Sequence, residues 1–124
     1  IESNRWRETE WCVSGPYDVD RMRTLLANSE WSDLRVVGTG FAIHVTERGV
    51  NKRSALEIQF SRREIDPSRV LSCGDALNDV PMFNLTGYSV AVDGAIDEVR
   101  NAADSVTQKK GPLGVIEMLE LLLR

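Results

Sequence analysis

The chain has 124 residues, 42% apolar and 27% charged, with a formal net charge of −4 at pH 7. This is ordinary globular composition, enough for one core or two partial ones. The acidic balance gives no electrostatic reason to expect nucleic acid or an anionic membrane as partner. No apolar run approaches the length of a membrane span, and no signal-peptide pattern opens the chain. Cys12 and Cys73 are too few for a disulfide scaffold, and with the single His44 they make no zinc spacing. Both read as reduced packing residues of a cytoplasmic protein. The opening, without Met and with an early Trp, reads as part of something longer or as a start removed by processing.

Residues 4–13 read as extended and rich in Trp and Arg, with Gly15-Pro16 as a turn. Asp18 can cap a helix through about Asn28 that carries Val19, Met22, Leu25 and Leu26 at helical spacing. Leu34 to Val37 and Phe41 to Thr46 are strand-like, with the hairpin signal Gly38-Thr39-Gly40 between them. In the second of these strands Phe41, Ile43 and Val45 alternate with Ala42, His44 and Thr46. His44 is therefore expected on the polar face, where solvent is the plainer reading and a substrate contact the sharper one. Arg5 and Arg7 share a face of the first strand, as ordinary polar surface or as a carboxylate holder.

From Arg48 the pattern becomes alternating helix and strand. It predicts a helix over 51–63, the strand Val70–Cys73, a helical turn near 79–84 and the strand Tyr88–Val92. A helix from about Ile96 to Ala102, a short strand at Ser105-Val106 and a helix from Leu113 to Leu123 follow. Short apolar strands separated by helices argue for an α/β fold with a parallel sheet covered on both faces. Three core strands are few for such a sheet and suggest further strands upstream.

Ligands of open α/β sheets bind beyond the carboxyl ends of the strands. There Gly74 allows a sharp turn, and Asp75, Asn78 and Asp79 crowd three oxygen-bearing side chains together. Hard oxygen ligands of this kind suit Mg²⁺, which shares its shell with water and phosphate. The plainer alternative is a common Gly-Asp turn, with Asp79 as N-cap ahead of Val80-Pro81. Lys52 lies in the first turn of the 51–63 helix on the face of Leu56 and Phe60, against the helix dipole at a cost of up to about 1 kcal/mol. An anionic partner would reverse that cost; otherwise Lys52 is a solvated surface lysine.

The run Gly74-Asp75-Ala76-Leu77-Asn78-Asp79, with Val80-Pro81-Met82-Phe83 after it, resembles the fourth motif of haloacid dehalogenase-like phosphatases, GDSxND-x-x-M. Thr86 to Val92 and Ala102 to Thr107 are similar to that family's next strand and its ADxVT segment, and Asn51-Lys52 resembles its third motif. The resemblance implies that Asp75 and Asp79 carry Mg²⁺. It places Asn78 beside the phosphate or among the groups organising the site, and has Lys52 steady the attacking aspartate and the transferred phosphoryl group. Ala76 replaces the usual serine, and Asp93-Gly94-Ala95 departs from the commoner Asn-Ala pair.

Asn4 to Glu8, the following helix and strands, and the run His44 to Gly49 look like the second half of the cap in archaeal-type phosphoglycolate phosphatases. The implied architecture is a partial α/β cap over residues 1–47 and the C-terminal half of a Rossmann-like core over 48–124. The family's nucleophile lies in a DxD motif on the first core strand. Asp18-Val19-Asp20 matches by letters only, because it opens a helix after a turn.

The intact protein is thus expected to hydrolyse a small phosphomonoester through an aspartyl-phosphate, 2-phosphoglycolate being the first guess. This chain alone is expected to be inactive, its partners being the phosphorylated metabolite and the missing N-terminal half of the core. The sequence leaves a homodimer open. Alternatives are a sugar-phosphate phosphatase acting on a compound such as sucrose phosphate, or a non-catalytic binding module.

Overall fold

A computed structural model describes residues 10–15, 17–39 and 42–123. Arg5, Arg7 and Phe41 lie outside the described residues. Two compact units divide between Asn51 and Lys52.

The first unit holds β1 (Glu10–Ser14), α1 (Val19–Ala27), β2 (Leu34–Gly38) and β3 (Ala42–Glu47). The strands form an antiparallel sheet in the order β1-β3-β2. Register places Val45 opposite both Trp11 and Val36, and Ile43 opposite Val13 and Gly38. Strand alternation puts these residues on one face, where Val36, Ile43 and Val45 pack with Val19, Met22 and Leu26. Leu25, expected with that stripe, is 58% exposed. Its neighbour Leu26 takes the sheet-facing position, and one residue of helix rotates the side chain about 100° away. Asp18 starts α1 as an N-cap, its carboxylate accepting the N–H groups of Asp20 at 2.9 Å and Arg21 at 3.2 Å.

The second unit runs α2 (Lys52–Arg63), a 3₁₀ turn (Pro67–Arg69), β4 (Leu71–Gly74), α3 (Val80–Phe83), β5 (Tyr88–Asp93), α4 (Asp97–Ala102), β6 (Ser105–Lys110) and α5 (Gly111–Leu122). Its sheet is parallel in the order β4-β5-β6. Ala91 of β5 packs with Phe83 of α3 and Val99 of α4, and all three are buried. Val92, one residue on, meets α5 at Gly114, where an added Cβ would also press on Thr107 Oγ1 and the Lys109 carbonyl. Successive residues of β5 thus serve helices on opposite faces, which accounts for its unbroken apolar run.

Strand β6 extends to Lys110, well past the two residues expected, and α5 starts earlier than Leu113. Gln108, Lys109 and Lys110 are exposed and show no apolar pattern. Backbone pairing of Asp93 with Lys110 carries the strand instead. The Glu117 carboxylate accepts the N–H groups of Gln108 and Lys109 at 3.1 and 2.9 Å. An open hollow of about 680 Å³ lies along this sheet, lined by Val70, Leu71, Val90, Met118, Leu121 and Leu122 among others.

Candidate active site at the carboxyl end of β4

Strand β4 ends at Gly74, and the chain turns through Asp75 to Asn78 before α3 begins. Asp79 occupies the N-cap position of α3, yet its side chain makes no capping bond there. It turns back instead. One carboxylate oxygen, Oδ2, accepts the backbone N–H groups of Asp75 at 3.0 Å and Ala76 at 3.1 Å. The other, Oδ1, receives the Lys52 ammonium in an ion pair. Asp79 is 3% exposed as a residue. A Cβ added at Gly74 would run into the Asp79 side chain, so the absence of a side chain at 74 is what admits this carboxylate.

Lys52 is the first residue of α2, and its side chain remains 48% exposed. Phe60, two turns on, is buried and anchors that face of the helix. Asp79 is the anion that offsets the unfavourable placement of a cation at a helix N-terminus. An ammonium has three donors, and Asp79 is its one hydrogen-bond partner among the described residues. The remaining donors are available to an anion.

Asp75 is exposed, and its carboxylate has no hydrogen bond or ion pair among the described residues. Asn78 Oδ1 is buried and lacks a hydrogen-bond partner among the described residues, an arrangement that folded proteins rarely leave unexplained. The turn thus combines an open carboxylate, an unsatisfied amide oxygen and a tethered cation. Asp75 fits a hard-cation ligand by chemistry and exposure. Among the described residues, however, no group of three or more His, Cys, Asp or Glu side chains gathers to hold a metal.

Cys73 sits just before this turn. Burial, then the negative charges of Asp79 and Asp75, push its thiol above the ordinary value. That disfavours thiolate and agrees with a packing role. A second carboxylate–cation pair stands at the end of β5, where Arg100 donates to Asp93 at 2.8 Å. This hydrogen bond, opposed by desolvation and aided by the charges of Arg100 and Lys110, holds the Asp93 carboxyl below its usual range. Sequence reasoning did not find that pair; the seven-residue spacing of Asp93 and Arg100 carries no signal without knowing where α4 begins.

His44 belongs to the first unit. It lies on the face opposite the α1 contact, as strand alternation requires, but it is not solvent-facing: 16% of the side chain is exposed. Nδ1 lies 3.2 Å from a Glu10 carboxylate oxygen, off the hydrogen-bonding direction, and Nε2 lies 3.3 Å from Thr39 Oγ1. Glu10 of neighbouring strand β1 and Thr39, the residue after β2, flank the ring, which a single-strand pattern does not reveal.

The model of the haloacid dehalogenase-like hydrolase family matches residues 16–119. The chain belongs to that family. Its parallel unit is a Rossmann-like core of the haloacid dehalogenase type. It is 40% identical over 115 residues to a phosphoglycolate phosphatase of Haloarcula marismortui, covering 93% of this chain and 49% of that protein. It is 42% identical over 117 residues to a phosphoglycolate phosphatase of Methanothermobacter thermautotrophicus, covering 94% and 52%. A crystal structure of a Thermoplasma acidophilum protein superimposes with a TM-score of 0.81 at 25% identity, covering 99% of this chain and 54% of that one. The chain spans about half the length of the curated relatives it matches.

Proposed function

We propose that this chain supplies the lysine and metal-binding side of a phosphomonoesterase whose intact form acts on 2-phosphoglycolate. The observation that carries this reading is Lys52, an ammonium fixed by Asp79 beside the β4 turn with donors left for an anion. Phosphoryl transfer depends mainly on positioning and on offsetting charge on the transferred group. Lys52 would hold a non-bridging phosphate oxygen and the attacking carboxylate. Asn78, with its unsatisfied amide oxygen, would organise the groups around the phosphate. Asp75 would hold Mg²⁺, which when bound offsets charge on the phosphoryl oxygens.

The nucleophilic aspartate would come from the N-terminal half of the core. In this reading, that half packs beside β4, the edge strand of the described sheet, and over the apolar hollow along α5. The only DxD letters are Asp18-Val19-Asp20, where Asp18 is spent capping α1 and Asp20 pairs with Arg23. Among the described residues no helix is long and apolar enough to cross a membrane, and a cytoplasmic enzyme belongs to the same proposal. The names of the curated relatives support the substrate choice.

The test is the full-length protein with Mg²⁺ against a panel of phosphomonoesters. We expect kcat/KM for 2-phosphoglycolate at least about tenfold above that for sucrose phosphate and other sugar phosphates. The reverse ranking would transfer the assignment to a sugar-phosphate phosphatase. No turnover of any phosphomonoester would sink the phosphatase reading. The 124-residue chain alone should show no turnover.

A further inference from the structure

We infer that the outward face of α5 pairs with the same face of a second copy of this chain, antiparallel about a two-fold axis at Ile116. The other sides of this helix have partners or line the hollow. Gly114 faces the sheet, where an added Cβ would meet Val92, Thr107 and the Lys109 carbonyl. The Glu117 carboxylate accepts the N–H groups of Gln108 and Lys109, and Met118, Leu121 and Leu122 line the hollow. At about 100° per residue, Ile116 and Leu119 lie about 160° and 140° round the helix from Gly114. They point away from the sheet, 47% and 46% exposed, with Leu113 beside them at 60%. A surface helix turns charged and polar residues to water, whereas one that is apolar on every side belongs in a buried place. Helix α5 is apolar on its exposed side as well.

This stripe is self-complementary. In a two-fold pair each contact is made twice, residue i on j and j on i. With Ile116 on the axis, Leu113 meets Leu119 of the second copy, and Leu119 meets Leu113 of that copy. The charges at the ends of the helix match the same arrangement. Lys109 stands just before α5, on the side of β6 that Thr107 turns toward Gly114. Glu120 lies in the last turn, and both residues are exposed. A helix of 12 residues is about 18 Å long, so the two charges cannot meet within one chain. Antiparallel pairing brings each Lys109 toward Glu120 of the other copy, while parallel pairing sets like charges together. This match favours a second copy over an unrelated partner. One helix face of this length is smaller than the roughly 800 Å² per partner of a standard stable interface, so the pair should dissociate on dilution.

Sedimentation equilibrium of the full-length protein, from about 1 to 200 μM, tests the pairing. We expect a reversible monomer–dimer equilibrium with a dissociation constant between about 1 and 100 μM. Ile116→Glu sets like charges against each other on the axis and should leave the protein monomeric across that range. Its melting midpoint at about 1 μM should stay within about 2 °C of wild type, as for other exposed positions. Lys109→Glu and Glu120→Lys should each weaken association at least about threefold, and the double variant should recover wild-type affinity.

A wild-type protein still monomeric at the highest concentration would overturn the inference. So would a dimer that persists in Ile116→Glu, or a double charge variant that associates no better than the single ones. A monomer that sediments with phosphatidylserine vesicles would also overturn it and give this face to a membrane surface. None of these readouts depends on turnover, so they decide the pairing whether or not the phosphatase reading holds.

Discussion

Two carboxylate–cation pairs stand at the carboxyl ends of neighbouring strands, and they are built differently. Asp79 with Lys52, after β4, joins a side chain 4% exposed to one 48% exposed. Asp93 with Arg100, after β5, joins side chains 26% and 37% exposed. The first reaches between distant segments, fills the space left by Gly74 and binds two backbone amides. The second spans a single crossover, from the end of β5 to the middle of α4. Proximity of opposite charges is common on protein surfaces and is usually worth little. What separates the pairs is how much other structure depends on the carboxylate.

The largest expected effect falls on the first pair. Lys52→Met in the full-length protein should lower kcat by about 100-fold or more, checked by steady-state kinetics on 2-phosphoglycolate at saturating Mg²⁺. A variant with near-normal kcat would make Lys52 a structural partner of Asp79 and erase the functional contrast between the pairs.

Next comes Gly74→Ala, which sets a methyl group against the Asp79 carboxylate. Overpacking of this kind should destabilise by about 1–3 kcal/mol, seen as a lower denaturant midpoint. An unchanged midpoint would show that the Asp79 side chain can move aside, and the first pair would then be as loosely held as the second.

A third carboxylate separates charge pairing from hydrogen bonding. The Asp104 side chain accepts the Ser89 hydroxyl and N–H, each at 2.8 Å. The hydroxyl bond, then the N–H bond, hold its carboxyl below the usual aspartate range. A folded-state pKa below the unfolded value gives stability that is present above the unfolded pKa. It is lost as pH falls from about 4 through the folded value. Asp104→Asn should therefore lower the neutral-pH melting midpoint and flatten its decline below about pH 4. Equal acid slopes in variant and wild type would remove Asp104 from that decline.

The smallest effect is expected for Asp93→Asn. It should move the melting midpoint by no more than about 2 °C and lessen its dependence on salt. A larger shift would mean that the β5 pair supports the rim as the β4 pair does.

The order of elements was legible because strands such as Tyr88–Asp93 and Ala42–Glu47 carry strong apolar patterns bounded by turns. The extent of β6 was not, since Gln108 to Lys110 are polar and backbone pairing with help from Glu117 makes them a strand. Leu25 and His44 misled for a related reason. A pattern along one element gives the face of a residue, while its exposure depends on what the next element covers.

At the site, Asp75, Asn78 and Asp79 were visible as a crowd because they are neighbours in sequence. The dipole argument asked for an anion near Lys52 without naming it. Its identity depends on how α2 and β4 come together, and no local spacing encodes that. The N-cap reading of Asp79 placed the residue at the right position of α3 and gave its side chain the wrong partners.

The glycine at the end of β4 has a consequence for inheritance. Position 74 stays bare because position 79 carries a buried carboxylate, and that carboxylate is satisfied because position 52 carries a cation. A change at any one leaves a clash, an unpaired buried charge or an unanchored ammonium. Substitution at these three positions should therefore be concerted across relatives, with single departures rare and double departures compensatory. Counting them in an alignment would show whether the three sites evolve as one.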